Sequence, residues 1–375
     1  MEKYFEDFLK NRKLFYNGSI RERFILFREY IHDKVRCGEI NNLSTPLSVF
    51  WSVTTKCNLK CKHCYAVNNN CTNEMSLEKS FELLDKLEEL NILDLTIEGG
   101  EPFAKENIIE ILRYAKTKKF VIDILTNGTL IDKSKSKQLE KILNVELDRI
   151  QISLDGDEES HEKIRGKGTY QKTLSAIKNL DWLKNVTINT VVTKNNLSSL
   201  DRMCGDIINY TNANVIHFSP LMQIGNGIQN EFPNFEEARL IFMNIKEKYS
   251  NKLIISGTPI PDRELLLMEE VKDYIKETNE KLKIGCCAAR SKIFINADGS
   301  IYPCTFLSSN HELKGTIFND KFSRTWEKYW DIFKTQNIKI SKFINENNIY
   351  IDYCPGIYRK EGIAYEDQKF KNKKV

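Results

Sequence analysis

Six short apolar runs, helical periodicity between them and a cysteine-rich loop at the end of the first run predict an α/β chain built on a parallel sheet. The runs are Leu47 to Thr55, Leu93 to Glu98, Phe120 to Thr126, Arg149 to Leu154, Val186 to Thr193 and Val215 to Pro220. Each is rich in Val, Ile, Leu or Phe, as in strands buried on both faces by crossover helices. Ser76 is placed to cap a helix carrying Phe81, Leu84, Leu87 and Leu90 on one stripe, and Thr169 to start another carrying Leu174, Ile177 and Leu180. Leu200, Met203 and Ile207, then Ala238, Ile241, Phe242 and Ile245, repeat the spacing and read as core. Right-handed crossovers curl six such units into a barrel or partial barrel, with reactive groups at the C-terminal ends of the strands.

Residues 1–46 read as a mainly helical extension that caps the barrel or contacts a partner, and residues 47–260 as the β/α core. Pro259 and Pro261 mark a composition shift into a C-terminal module, residues 261–375. In it, a helix-like stretch from Arg263 to Lys281 leads to a hairpin whose strands, Lys292 to Asn296 and Ser300 to Tyr302, flank the turn at Ala297, Asp298 and Gly299.

The 375 residues carry 56 Lys and Arg against 52 Asp and Glu, a formal charge of +4 that argues for neither nucleic-acid nor membrane binding. No run reaches the roughly 18 apolar residues of a membrane span. The opening MEKYFEDFLKNRK lacks the apolar stretch of an export signal, so a cytoplasmic location is expected. Ten cysteines in such a compartment point to metal or cluster ligation rather than to disulfides.

Cys57, Cys61 and Cys64 lie in CNLKCKHC, spaced by four and then three residues. Zinc sites usually pair CxxC units, and redox dithiols use one. Three thiolates on one tight loop suit three corners of an iron-sulfur cube and leave the fourth iron without a protein ligand. The loop follows the first strand directly, which puts it at the C-terminal rim. The second run ends there too, in IEGGEP, where Gly99 and Gly100 let backbone approach a bound molecule closely and Pro102 stiffens the exit. Glu98 and Glu101 bring two carboxylates to this rim, and their orientation decides which one faces the site.

CNLKCKHC followed by GGEP resembles the radical S-adenosylmethionine superfamily over residues 45–260. The resemblance implies a partial (β/α)6 TIM-like barrel. It also implies a 4Fe-4S cluster on Cys57, Cys61 and Cys64, with S-adenosylmethionine (SAM) chelating the fourth iron through its methionyl amine and carboxylate. Gly99, Gly100 and Glu101 would then bind the amine. TNGT, at Thr126 to Thr129, and ISLDG, at Ile152 to Gly156, are further family-like strand ends. Ser153 is implied for the cofactor's carboxylate or ribose, Arg165 for its carboxylate, Asn189 for the ribose and Tyr65 for a backbone contact to adenine. His63 reads as packing beside the cofactor, and Asp155 before Gly156 as a turn former. No catalytic acid or base is marked by its spacing.

Downstream, Cys286 and Cys287, then Cys304 with four residues between it and Gly299, then Cys354 in YCPG resemble the auxiliary-cluster module called SPASM or twitch. The dense CxxC group of a full SPASM module is missing beyond Cys304, so the resemblance implies one auxiliary cluster on Cys286, Cys287, Cys304 and Cys354. Buried free thiols are the other reading, and the favoured one for Cys37, Cys71 and Cys204.

The implied activity is reductive cleavage of SAM to a 5′-deoxyadenosyl radical that modifies a ribosomally made peptide or protein by crosslinking or oxidation. A small-molecule dehydrogenase or cyclase is the alternative, and a non-catalytic iron-sulfur binding or sensor protein a third reading. The expected partners are the peptide or protein substrate and an electron donor such as flavodoxin or ferredoxin.

Overall fold

A computed structural model describes residues 43–259 apart from 69, 70, 72, 119, 223 and 228–230, together with 288–308, 313–318, 322–329 and, near the start, Arg21, Phe24, Phe27, Arg28, Tyr30 and Ile31. The six expected strands form as β1 Ser48–Thr54, β2 Asp94–Gly99, β3 Val121–Thr126, β4 Arg149–Ser153, β5 Val186–Val192 and β6 Val215–Pro220. They pair in parallel and in sequence order, and a further strand, β7 Ile254–Gly257, continues beyond β6. Helices α1 Leu77–Glu89, α2 Ile108–Ala115, α3 Lys133–Glu140, α4 Glu158–Arg165, α5 Thr169–Asn179, α6 Leu200–Tyr210 and α7 Phe235–Tyr249 alternate with the strands. Ser76 caps α1, its hydroxyl accepting from Lys79 N, while Leu83, Leu84 and Leu87 take the core-facing stripe. α5 starts at Thr169, but a left-handed Gly168 stands at its cap instead of a side-chain acceptor.

β1, β2 and β3 are buried on both faces, as expected from the strand composition, whereas β4 and β6 alternate in burial; along all of them polarity largely alternates. Val49, Trp51 and Val53 of β1, Leu95 and Ile97 of β2, Ile122 and Ile124 of β3, Ile150 and Ile152 of β4, and Ile216 and Phe218 of β6 belong to one continuous apolar core. The opposite face is largely polar. Register aligns Ser52 with Glu98, Thr96 with Asp123, Leu125 with Gln151, Ser153 with Asn189, and Asn189 with His217 across it. An inner face lined by hydrogen-bonding groups suits an open barrel that admits a polar ligand rather than one filled by side chains.

The C-terminal hairpin does not stand apart from this sheet. β8 Lys292–Ile295 pairs in parallel with β1, and β9 Ser300–Tyr302 and β10 Gly315–Thr316 add antiparallel strands outside it. The chain thereby covers the edge that β1 would expose, and residues either side of the expected boundary share one sheet. Residues 263–281 and Cys37, Cys286, Cys287 and Cys354 lie outside the described residues.

At the N-terminal ends of the strands, Arg21 donates to Asp123 at 2.7 Å and to Leu147 O, Arg149 reaches Asp123 at 2.9 Å, and Arg28 meets Asp94 at 3.4 Å. Ile31 is buried in the core. These described positions of the N-terminal segment thus contact the barrel at that end. Burial pushes the Asp123 carboxyl up, but Arg149 and Arg21 outweigh it and hold the group below its ordinary range. Removing one partner of a buried ion pair leaves the other charge uncompensated. Arg21→Ala is therefore expected to cost about 3 kcal/mol, the lower end for such a loss because Arg149 remains; a lower urea midpoint at unchanged m-value reads it out.

Candidate active site

The exits of β1 and β2 are bound together just ahead of the cysteine loop. Gly100 N donates to Thr54 O at 2.8 Å and Glu101 N to Lys56 O at 2.9 Å. A Cβ on Gly100 would lie 2.3 Å from Lys56 O, and one on Gly99, whose φ is +146°, 2.3 Å from Thr54 O. The close approach expected of these glycines is thus made first to the backbone that leads into Cys57. Glu74 tightens the same exit, accepting from Thr54 Oγ1 at 2.7 Å and Thr55 N at 2.8 Å.

Cys57 is exposed, Cys61 is buried and Cys64 is intermediate, and none is in a disulfide. Cys64 N donates to Cys61 O, and Lys62 N to Ile164 O at the end of α4. Two further rim segments fasten the loop. From the end of β3, Asn127 Nδ2 donates to Asn58 Oδ1 at 3.0 Å, and Asn58 Nδ2 donates to Thr129 Oγ1 at 2.8 Å. From the segment after β6, Asn226 N donates to Cys64 O at 2.9 Å and Asn226 Nδ2 to Cys61 O at 3.2 Å. Gly225, with φ +65°, lies so close that a Cβ would sit 2.2 Å from Cys64 O. The sequence reading missed this segment. Its signal was Gly225-Asn226-Gly227, with four residues between it and the end of β6 on the same rim.

Asp155 is not a turn former. Its side chain is fully buried and accepts from Arg165 Nε at 2.5 Å, His63 Nε2 at 2.8 Å and Val191 N at 2.9 Å. Burial pushes the carboxyl up, but Arg165 and His63 outweigh it and hold it well below the ordinary range. Asp155 N donates to His161 Nδ1 at 3.1 Å, so that ring carries its proton on Nε2; burial, then Arg165, pushes its pKa down to about 3. Arg165 Nη1 stands 3.8 Å from the Cys61 sulfur. His63 therefore hydrogen-bonds through its ring as well as packing.

The two rim carboxylates divide. Glu101 is consumed structurally, accepting from Thr126 Oγ1 at 2.7 Å, Asn127 N at 2.8 Å and Phe103 N at 3.1 Å. Glu98 lies on the inner face, 4% exposed, with Tyr65 Oη at 3.3 Å and Thr305 Oγ1 at 3.2 Å. Tyr65 follows Cys64 and Thr305 follows Cys304, so this carboxylate bridges the cysteine loop and the half-buried thiol that the hairpin carries to the rim. Ser153 and Asn189 are register neighbours on the inner face, and Asn189 Oδ1 accepts from Ser219 Oγ at 2.9 Å. Cys204 is buried in α6, its thiol pushed up to about 12 by burial, and Cys71 lies beside the β1 exit, where its carbonyl accepts from Thr55 Oγ1.

The donor set fits an iron-sulfur cluster. Burial, opposed by Arg165, pushes the Cys61 thiol up to about 11, a cost to the thiolate that ligation to a cationic centre would offset. Among the described residues no three Cys, His, Asp or Glu side chains converge on a single-ion site. Sulfurs spread around a multi-iron cage need not do so.

Residues 51–206 match the model of the Radical SAM superfamily. Fe-coproporphyrin III synthase of Methanosarcina barkeri is 33% identical over 306 residues, covering 74% of this chain and 73% of the relative. The chain belongs to the radical SAM superfamily. Mycofactocin maturase MftC of Mycolicibacterium smegmatis is 26% identical, over 76% of this chain and 71% of the relative. Among solved structures, Streptococcus suis SuiB bound to precursor peptide SuiA superposes with TM-score 0.62 at 20% identity, covering 87% of this chain and 76% of that one, a likeness of fold. A radical SAM enzyme uses a 4Fe-4S cluster and SAM, and the open parallel sheet is this superfamily's partial barrel. No helix among the described residues is long and apolar enough to cross a membrane.

Proposed function

We propose that this radical SAM enzyme is an oxidoreductase that modifies a ribosomally made peptide or protein by oxidation or crosslinking. The observation that carries the reading is the shared rim: the hairpin delivers Cys304 and Thr305 to Glu98, on the mouth that holds the cysteine loop. MftC, a maturase, and SuiB, solved with its precursor peptide, support it by analogy. Residues 1–46 act as a cap, 47–260 as the core and 261–375 as an auxiliary-cluster module, in a cytoplasmic protein served by a flavodoxin- or ferredoxin-type donor.

When bound, the cluster and SAM supply one-electron cleavage of the sulfonium and removal of a hydrogen atom from the substrate. Cys57, Cys61 and Cys64 hold that cluster, and Cys304 joins Cys286, Cys287 and Cys354 at the second. The backbone carbonyls of Gly99, Gly100 and Glu101 receive the methionyl amine, since the Glu101 carboxylate is already engaged. Ser153 and Arg165 would take the cofactor carboxylate, Asn189 the ribose, and the Tyr65 backbone the adenine.

After the hydrogen atom has gone, a two-electron oxidation must lose one more electron, for which the second cluster would be the acceptor when bound, and one proton, for which Glu98 is the rim carboxylate on the inner face. Burial, opposed by hydrogen bonds from Thr305 and Tyr65, pushes its carboxyl up to about 7. Tyr65 is the titratable group facing it. An acceptor must be ionised, so product formation is expected to rise as pH passes through about 7, while 5′-deoxyadenosine formation does not follow that curve.

A second reading, a small-molecule enzyme, is favoured by the 33% identity to Fe-coproporphyrin III synthase. Parallel anaerobic assays separate the two. Short peptides from adjacent reading frames and a panel of iron tetrapyrroles, with Fe-coproporphyrin III watched for both as substrate and as product, are each incubated with reconstituted protein, SAM and dithionite, then analysed by mass spectrometry. Loss of hydrogens or a new crosslink in a peptide supports the first reading; conversion of a tetrapyrrole with every peptide unchanged overturns it.

A further inference from the structure

We propose that Asp155 is a positioning residue of the cluster site, aiming the Arg165 guanidinium at the Cys61 sulfur and tying the Cys61–Cys64 turn to the end of β4. The inference rests on a cluster occupying the cysteine loop.

Asp155 joins four parts of the rim. Its Oδ2 accepts from Arg165 Nε on α4 and from His63 Nε2 on the cysteine loop, and its Oδ1 accepts from Val191 N on β5. Asn196 Nδ2, in the turn after β5, reaches its carbonyl at 3.4 Å. With Arg165 Nε held by the carboxylate, the guanidinium plane is fixed, and Nη1 falls 3.8 Å from Cys61 Sγ. Arg165 is itself 9% exposed, so losing Asp155 would leave a buried cation free to turn toward another acceptor. His63 lies between Cys61 and Cys64, and its bond to Asp155 adds a side-chain tie to the turn whose carbonyls Asn226 already holds.

Two roles for this carboxylate predict opposite signs. A negative charge near a cluster disfavours the more negative reduced form, whereas an N–H donor at a ligand sulfur favours it. If Asp155 acted only through its charge, Asp155→Asn would raise the cluster potential. If it acts by aiming Arg165, the same substitution replaces the charge-assisted hold on Nε with a weaker neutral one, loosens the N–H at Cys61 and lowers the potential toward that of Arg165→Met.

The test is an EPR-monitored redox titration, without SAM, of anaerobically reconstituted wild type, D155N, R165M, R165K and the D155N/R165M double variant. Iron content is measured in parallel, and a Cys57, Cys61, Cys64 triple-alanine control identifies the signal of this cluster. Expected are a cluster retained in D155N and R165M and about a tenfold less favourable reduction in each, about 59 mV for a one-electron couple. The double variant should fall no lower than R165M alone, since without Arg165 the carboxylate has no guanidinium to aim. R165K keeps the positive charge but cannot both hold Asp155 and reach Cys61, so it is also expected below wild type. Should D155N fail to fold, R165K carries the test. A raised or unchanged potential in D155N, additive shifts in the double variant, or a wild-type potential in R165K would overturn the proposal.

Discussion

Gly100→Ala is expected to reduce SAM cleavage by roughly 10²-fold or more, with the barrel still folded. The added Cβ would meet Lys56 O at 2.3 Å and Lys56 C at 2.6 Å, both backbone atoms. Relief cannot come from a rotating side chain. Glu101 N to Lys56 O, Gly100 N to Thr54 O and the Glu74 bonds to Thr54 and Thr55 hold that segment from both sides. The strain therefore passes to the next residue, Cys57. A shift of about 1 Å in a reacting geometry costs on the order of 10²-fold. The variant should keep its far-ultraviolet circular dichroism, yet lose 5′-deoxyadenosine formation and part of its iron. Cleavage at the wild-type rate would show that the β1 and β2 exits do not govern the cluster ligand.

Glu98→Gln is expected to separate the two halves of the reaction. Glutamine keeps the size of the side chain and an oxygen that accepts from Thr305, but it cannot take a proton. A general base contributes typically 10²–10⁴-fold, so product per 5′-deoxyadenosine should fall by about that factor while cleavage of SAM stays close to wild type. Glu98→Asp, which retains an ionisable group at shorter reach, should recover part of the yield. The rise of product formation through pH 7 should vanish in the glutamine variant. An equal loss of cleavage and product would assign Glu98 to holding Tyr65 and Thr305 in place rather than to proton transfer. The readout uses whichever substrate class the parallel assays identify.

The rim was legible in the sequence because parallel topology is orderly: consecutive strand ends fall on one side, so a cysteine loop after β1 and GGEP after β2 must be neighbours. The orientation of Glu98 and Glu101 was not legible. It depends on an irregularity in the β1 and β2 pairing between Ser52 and Thr54, and on where the last regular residue of β2 falls. Asp155 was misread because an Asp-Gly pair after a strand looks like a turn from local chemistry alone. What buries it comes from far along the chain: His63 is 92 residues upstream and Val191 is 36 downstream. The polar inner face was obscured because strands such as DLTIEG and RIQIS contain enough apolar residues to read as wholly apolar runs, and burial of the polar positions follows from what packs against them. The docking of β8 on β1 has no local signal, since it joins residues around 50 to residues around 294.

The central claim is that the Cys57, Cys61 and Cys64 loop holds a cluster that cleaves SAM. Its most direct measurement is 5′-deoxyadenosine formed by anaerobically reconstituted protein with SAM and dithionite, set beside the triple-alanine variant of those cysteines. The account predicts 5′-deoxyadenosine and methionine in equal amounts from the wild type and none above background from the variant. Equal yields from the two proteins, or no 5′-deoxyadenosine from a wild type carrying its full complement of iron, would contradict it.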